Sequence, residues 1–482
     1  MKLRENRISS ESLVYSLNIS RLQLVSLVVY ILLNSFIYSQ ADSKIVGGML
    51  LHPTYWNASD GQRYWGVAID LARKGTFTVS TAKLENDPMT RAGPLPALLF
   101  ALPMKLVGFA ASPVWIVSLQ CLLLYLAGLL TGKLVGPYQV NATLAQLLIM
   151  FNPNLITLAH HAQSDLLFMF LITVSLVLTS KIIRQRGELE IRTYIYLGII
   201  LGLIPLGRPL GFYYILVVPL FLVVSLLFSS GMGATNWVRM TKGLFLSGLI
   251  AIIVLFPWGL RNSLVHGNFS LTQSEGIMMK WHYATLKRND LLGPNHDLFY
   301  YLDKYEVDDE CQFRADCRHR ASMAYLEAIL SVPKLDIAKA FVVSYARLFF
   351  TPGTSQLGRY LGIQAPRTAG LPLGSHTFKE GFAVAKRYWL KGINGYYLLI
   401  GLGGMFVFGL RVFGVVGLFI AMKNRQTWGS TLFYLLSIGI FMSMYLVSSI
   451  GRFRAPLEPI LIMFTVVGIH AIGDQLKKVL KH

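Results

Sequence analysis

Two acids and a set of arginines carry the chemistry available to this sequence. Asp60 heads the stretch NASDGQRYWGVAIDLARKGTF at 57–77, and Asp165 closes HHAQSD at 160–165. Arg91 lies in DPMTRAGP, Arg208 in PLGRP, Arg261 in FPWGLRN, and Arg452 and Arg454 in GRFRAP. A carboxylate can take a proton from a hydroxyl or orient it. A guanidinium fork matches phosphate oxygens in charge and shape. Each residue also has an ordinary explanation. An acid in a helix's first turn is stabilised by the helix dipole, and arginines at span ends reach into head groups. Taken singly, those explanations serve for Asp165 and for the arginines.

The elements that position these residues are membrane spans. The 482-residue chain is 54% hydrophobic and only 14% charged, with a mean hydropathy of +0.52. A soluble protein of this size carries roughly twice that charged fraction, so the composition predicts an all-α polytopic membrane protein. Apolar runs at 22–38, 114–130, 140–156, 166–180, 193–206, 211–228, 243–260, 397–420, 430–448 and 457–471 give about ten spans. The first run follows a polar, basic head and lacks a small-residue cleavage site, which reads as a retained span. A further run at 95–107 reaches only about 20 Å as a helix, so it is expected on the membrane surface.

That choice places Lys133, Lys181, Arg184, Arg239, Lys242, Lys423 and Lys477 on one side together with both termini. The positive-inside rule then accounts for much of the net charge of +20, and nucleic acid is not an expected partner. Two large segments face the other side. One is the outer loop 41–113, which contains Asp60; the other runs from about 261 to 396. The second holds RNDLLGPNHD and DDECQFRADC, too polar for lipid, followed by amphipathic elements such as 337–350. Of three cysteines, Cys121 falls in a span; Cys311 and Cys317 can bridge in an oxidising compartment or remain two thiols. Three cysteines argue against a cysteine metal cluster. The Asn-x-Ser/Thr matches at Asn57 and Asn268 are of a kind that arises often by chance.

On this topology the acids and arginines converge on one outer membrane face. Span interiors are largely apolar, with Arg411 the main exception. The set fits chemistry on a phosphate-bearing lipid at the outer leaflet. It does not fit an ion path, which needs charges halfway across. The helix behind Asp60 has proper ends: Ser59 with Gln62 makes a capping-box pattern and Gly75 a stop after Arg73 and Lys74.

These motifs, in this order, resemble the GT-C membrane glycosyltransferases, in particular the bacterial branch akin to aminoarabinose–lipid A transferases and protein O-mannosyltransferases. The stretch 59–77 is similar to the family's first outer loop, and RAGPLPALLF to its Pro-rich entry into a juxtamembrane helix. The turn at 152–165 is similar to the one bearing its second acid. LIPLGRP, PWGLRN with HGNF, and GRFRAPLEP follow. The resemblance covers about 21–271 and the C-terminal spans, not 281–396.

It implies a GT-C-type helix bundle divided as follows: a cytoplasmic segment 1–20, a transmembrane module 21–262, a periplasmic or extracytoplasmic segment 263–396 with juxtamembrane helices, and C-terminal spans 397–482. It also implies an inverting transfer of a sugar from a polyprenyl-phosphate donor to a glycan, lipid or protein hydroxyl, in the bacterial inner membrane. Asp60 is then the base, and Asp165 orients the acceptor or shares that role. Arg91, Arg208, Arg261, Arg452 and Arg454 neutralise the departing phosphate. Tyr64, Trp65, His160, His161, Asn262 and His266 are candidate substrate contacts, although interfacial aromatics also anchor in head groups and loop histidines are often bystanders. Where the family often has a second acid, Gly61 follows Asp60, so no obligatory metal ion or other cofactor is expected. Two other readings stand beside this one: an O-antigen ligase or polymerase using a diphosphate-linked donor, and a lipid-linked sugar flippase or transporter. The absence of a strong internal repeat speaks against the latter.

Overall fold

The structure, a computed structural model, describes residues 21–46, 49–56, 61–79, 87–88, 93–186, 190–228, 233–266, 269, 271, 275–288, 297–308, 317–363, 395–445 and 451–480. The helices of the first half are α1 (Arg21–Ser39), α2 (Pro53–Trp56), α3 (Gly61–Lys74), α4 (Pro94–Val107), α5 (Ser112–Leu134), α6 (Ala142–Met150), α7 (Pro153–Ala159), α8 (Asp165–Arg184), α9 (Ile191–Gly207) and α10 (Gly211–Leu227). The second half holds α11 (Ala234–His266), α12 (Glu275–Arg288), α13 (Leu298–Lys304), α14 (Arg318–Leu330), α15 (Lys334–Phe350), α16 (Thr354–Tyr360), α17 (Gly395–Lys423), α18 (Trp428–Tyr445) and α19 (Glu458–Val479). Among the described residues the only strands are two short antiparallel pairs, Lys44–Val46 with Met49–Leu51 and Thr78–Val79 with Asp87–Pro88. The fold is an all-α membrane bundle.

Among the described residues seven helices are long and apolar enough to cross a membrane, or eight if one bent pair counts as a span. The runs at 193–206 and 211–228 form α9 and α10, each 17 residues. Spans show on their outer faces. On α17, Leu398, Leu402, Met405, Phe408, Val412, Val415 and Phe419 are exposed. That three-and-four spacing makes one apolar stripe, suited to lipid rather than water. By contrast α8 is enclosed, with Leu166, Phe168, Ile172 and Leu176 fully buried in the central core.

The expected single span at 140–156 is broken. It forms α6 and α7, bent by 55°. Asn152 and Pro153 explain the break. The Asn152 side chain accepts from Asn154 N at 3.0 Å and Leu155 N at 3.4 Å, which caps a new helix. Pro153 occupies its first position, where its missing N–H costs nothing.

The 95–107 run is helix α4, as expected too short to cross. Its buried Ala97, Phe100 and Ala101 pack with Tyr64, Val67 and Ala68 of α3, while Leu98, Leu102 and Leu106 are exposed. Gly93, just before it, touches the end of α9: a Cβ there would lie 2.1 Å from the Leu206 carbonyl oxygen. Only glycine lets this entry approach so closely. At the far end of α3, Gly75 has φ +71° and closes the helix, as its position after Arg73 and Lys74 predicts.

Within the segment 263–396, helices α12, α13 and α14 form a small separate core around Tyr283, Leu302, Ala321 and Tyr325. Cys317, at its edge, is disulfide-bonded, and Cys121 is a free thiol. Cys311, the remaining cysteine of the sequence, lies outside the described residues.

Candidate active site

Asp165 and Arg208 meet because two helix ends meet. Asp165 opens α8 and is 2% exposed. Helix α9 stops at Gly207, and Pro209 accounts for the stop. A residue before proline is pushed out of the helical region, and Arg208 has φ −153° and ψ 123°. Turned out of the helix, it donates from Nη1 to Asp165 Oδ1 in a buried ion pair. Helix α3 reaches the same point. Tyr64, four residues after Asp60 in the sequence, donates its hydroxyl to Ser164 Oγ at 2.9 Å. Asp60 and Arg91 themselves lie outside the described residues.

The third contribution is the 3-10 turn Gly451–Leu457, which precedes α19. At about 120° per residue such a turn sends side chains two positions apart in different directions. Arg452 shares one aromatic neighbour, Phe453, with Arg208. Its guanidinium carbon lies 5.0 Å from the Phe453 ring centroid, and that of Arg208 lies 5.2 Å from the same centroid. Tyr445, the last residue of α18, stacks on Phe453 with centroids 4.5 Å apart and planes within 1°.

Arg454 goes the other way, which removes it from the expected phosphate set. It is fully buried, and its Nη1 donates to the carbonyls of Leu348 at 2.6 Å, Phe349 at 2.9 Å and Thr351 at 3.0 Å. Its Nε donates to Glu458. Arg411 meets the same carboxylate from α17, with Nη2 at 2.7 and 2.9 Å from its two oxygens. The spacing of GRFRAP did not separate the two arginines. Glu458 was also missed, although two signals marked it: an acid four residues after Arg454, and an intramembrane arginine without an evident partner.

The remaining candidates surround this centre. Arg261 donates to the Phe77 carbonyl at 3.0 Å and to Asn262 Oδ1 at 3.0 Å, and lies over Trp258. It is therefore tied to the end of the first outer loop rather than to Phe453. Trp65 packs with Tyr55 and Phe109. His266 ends α11, its side chain outside the described set. His160 bonds to the Ile156 carbonyl at 2.9 Å and the Asn34 carbonyl at 3.3 Å. It and His161 set their rings edge-on to Tyr360. Burial pushes the His161 imidazole down to about 3, with His160 and Arg452 adding to the effect. Both histidines are therefore neutral near pH 7 and add no positive charge. Among the described residues no group of three or more His, Cys, Asp or Glu side chains is arranged to hold a metal ion.

The chain matches no protein-family model and no curated protein. Among solved structures it is similar to the archaeal oligosaccharyltransferase AglB from Archaeoglobus fulgidus, held in complex with an inhibitory peptide and a dolichol-phosphate, with TM-score 0.52 and 12% identity. The match covers 95% of this chain and 51% of that one, so the chain spans about half the length of that enzyme. ArnT from Cupriavidus metallidurans is also similar, bound to undecaprenyl phosphate (TM-score 0.39, 14% identity, 94% of this chain and 77% of that one) and in the apo state (0.38, 15%, 94% and 79%). The likeness to AglB over nearly the whole chain leads to one conclusion: this chain has the fold seen in that membrane oligosaccharyltransferase.

Proposed function

We propose that the protein is an inverting membrane glycosyltransferase. It takes a sugar from a polyprenyl-phosphate donor and transfers it to an acceptor hydroxyl at the extracytoplasmic face. The observation that carries this reading is the meeting of Arg208 and Arg452 over one buried ring, beside Asp165, where the first outer loop joins the bundle. The dolichol-phosphate held by AglB is consistent with it.

In the proposed step Asp60 takes the proton of the acceptor hydroxyl. The acceptor oxygen forms a bond to the anomeric carbon from the face opposite the phosphate. The bond from that carbon to the phosphate oxygen breaks, and its electron pair leaves with the lipid phosphate. Arg208 and Arg452 stabilise the charge that develops there. Arg261 and Arg91 are the further candidates for contact with the lipid phosphate. Asp165 is the counter-ion that holds Arg208 in place, rather than an open second base. Tyr64 and Trp65, which follow Asp60 in the sequence, and Asn262 and His266 are the proposed contacts to the sugar and acceptor.

Replacing Arg452 with glutamine tests this reading. The variant is expected to lose about 10²–10³ in kcat/KM for the lipid donor, the usual cost of one donor to a developing anion, with its unfolding midpoint retained. Unchanged kcat/KM in a folded Arg452→Gln protein would take the phosphate away from this cluster.

A further inference from the structure

Asn154 plays no part in the step above, yet it ties two segments of the site together. It is the second residue of α7, is 2% exposed, and lies on the stretch that runs on through His161 to Asp165. Helix α7 does not require it: Asn152 already supplies the cap, and asparagine is a weak helix former. Its Nδ2 instead donates to the carbonyl oxygen of Gly451 at 3.2 Å, across 297 residues of sequence. That oxygen shares one rigid peptide plane with the backbone nitrogen of Arg452. Fixing the plane fixes the direction in which the Arg452 side chain leaves the turn. A third segment closes on the same amide. A Cβ at Gly353 would lie 2.0 Å from Asn154 Oδ1, so the link between α15 and α16 packs here without a side chain. Arg454 holds the other end of the turn to the Thr351 carbonyl of that link. The turn is thus tied at both ends, and the Asn154 end connects it to the acid-bearing connector.

We propose that Asn154 is a positioning residue, which sets Arg452 for the lipid phosphate by holding the Gly451–Arg452 peptide. The inference rests on the donor-phosphate reading above. The test measures binding of farnesyl phosphate and of farnesol to purified full chains in detergent. Asn154→Leu keeps the volume without the donor, and Asn154→Ala removes both. In each, the ratio of the farnesyl phosphate to the farnesol association constant is expected to fall about tenfold, the effect of one lost hydrogen bond to a buried carbonyl. Gly353→Ala crowds the same amide from the other side and should lower the ratio in the same sense, which keeps the proposal testable if the Asn154 variants do not accumulate. Ile156→Ala opens space in the same helix, against Ile37 and Leu357. It should lower the unfolding midpoint and leave the ratio at the wild-type value. An unchanged ratio in the Asn154 variants, or an Ile156→Ala ratio as low as theirs, would overturn the positioning role and leave the donor reading in place. Wild type binding farnesyl phosphate no better than farnesol would overturn both.

Discussion

Asp60→Asn is expected to remove sugar transfer by about two to four orders of magnitude, the range a positioned general base contributes, while the protein accumulates and unfolds as wild type does. The contrast between activity and stability is the point of choosing asparagine. Asparagine caps helices about as well as aspartate, so a residue serving only to start α3 tolerates the change. The remainder of α3 is independently fixed. Tyr64 is bonded to Ser164, Val67 and Ala68 are buried against α4, and Gly75 closes the helix. The variant therefore isolates the carboxylate from the scaffold that presents it. Transfer at the wild-type rate by Asp60→Asn would return Asp60 to the role of a helix cap and leave the proposed step without its base.

The second large effect is on stability. Glu458 is fully buried and receives Arg411 from α17 and Arg454 from its own turn. Arg454 in turn gathers the carbonyls of Leu348, Phe349 and Thr351 at the end of α15, and Arg411 donates to the Phe349 carbonyl at 3.2 Å. Glu458→Gln leaves two buried guanidiniums facing a neutral amide. Breaking a buried ion pair by removing one partner costs about 3–5 kcal/mol, because the remaining charge stays desolvated. The expected result is a much lower unfolding midpoint and poor accumulation in membranes. The same change should weaken the site, because Arg452 leaves the turn two residues before Arg454. An unfolding midpoint within a degree or two of wild type would show that this cluster does not hold the turn.

The bundle was legible in the sequence because burying apolar surface in lipid leaves a strong pattern of long apolar runs. The end of α3 was legible through local punctuation, with Gly75 and the Arg73–Lys74 pair closing the helix as read. Less visible was anything settled between distant segments. The break at Asn152–Pro153 had a local signal, but the apolar residues on both sides outweighed it. Arg411 had no account because its partner lies 47 residues further on and no spacing rule connects two spans. Arg452 and Arg454 looked equivalent because the sequence does not announce a 3-10 turn, and that turn sets one arginine over Phe453 and the other into an ion cluster. Phe453 passed unnoticed for a related reason. A phenylalanine in an apolar protein carries no signal until the cations beside it are placed.

The most direct measurement presents purified wild-type protein, in bilayers, with matched polyprenyl donors carrying the same labelled sugar through one phosphate or two, together with a crude envelope fraction as the source of acceptor. The account predicts transfer from the monophosphate donor, release of polyprenyl monophosphate in equal amount, and inverted configuration at the anomeric carbon of the product. Transfer from the diphosphate donor alone, or a product that keeps the donor's configuration, would contradict it.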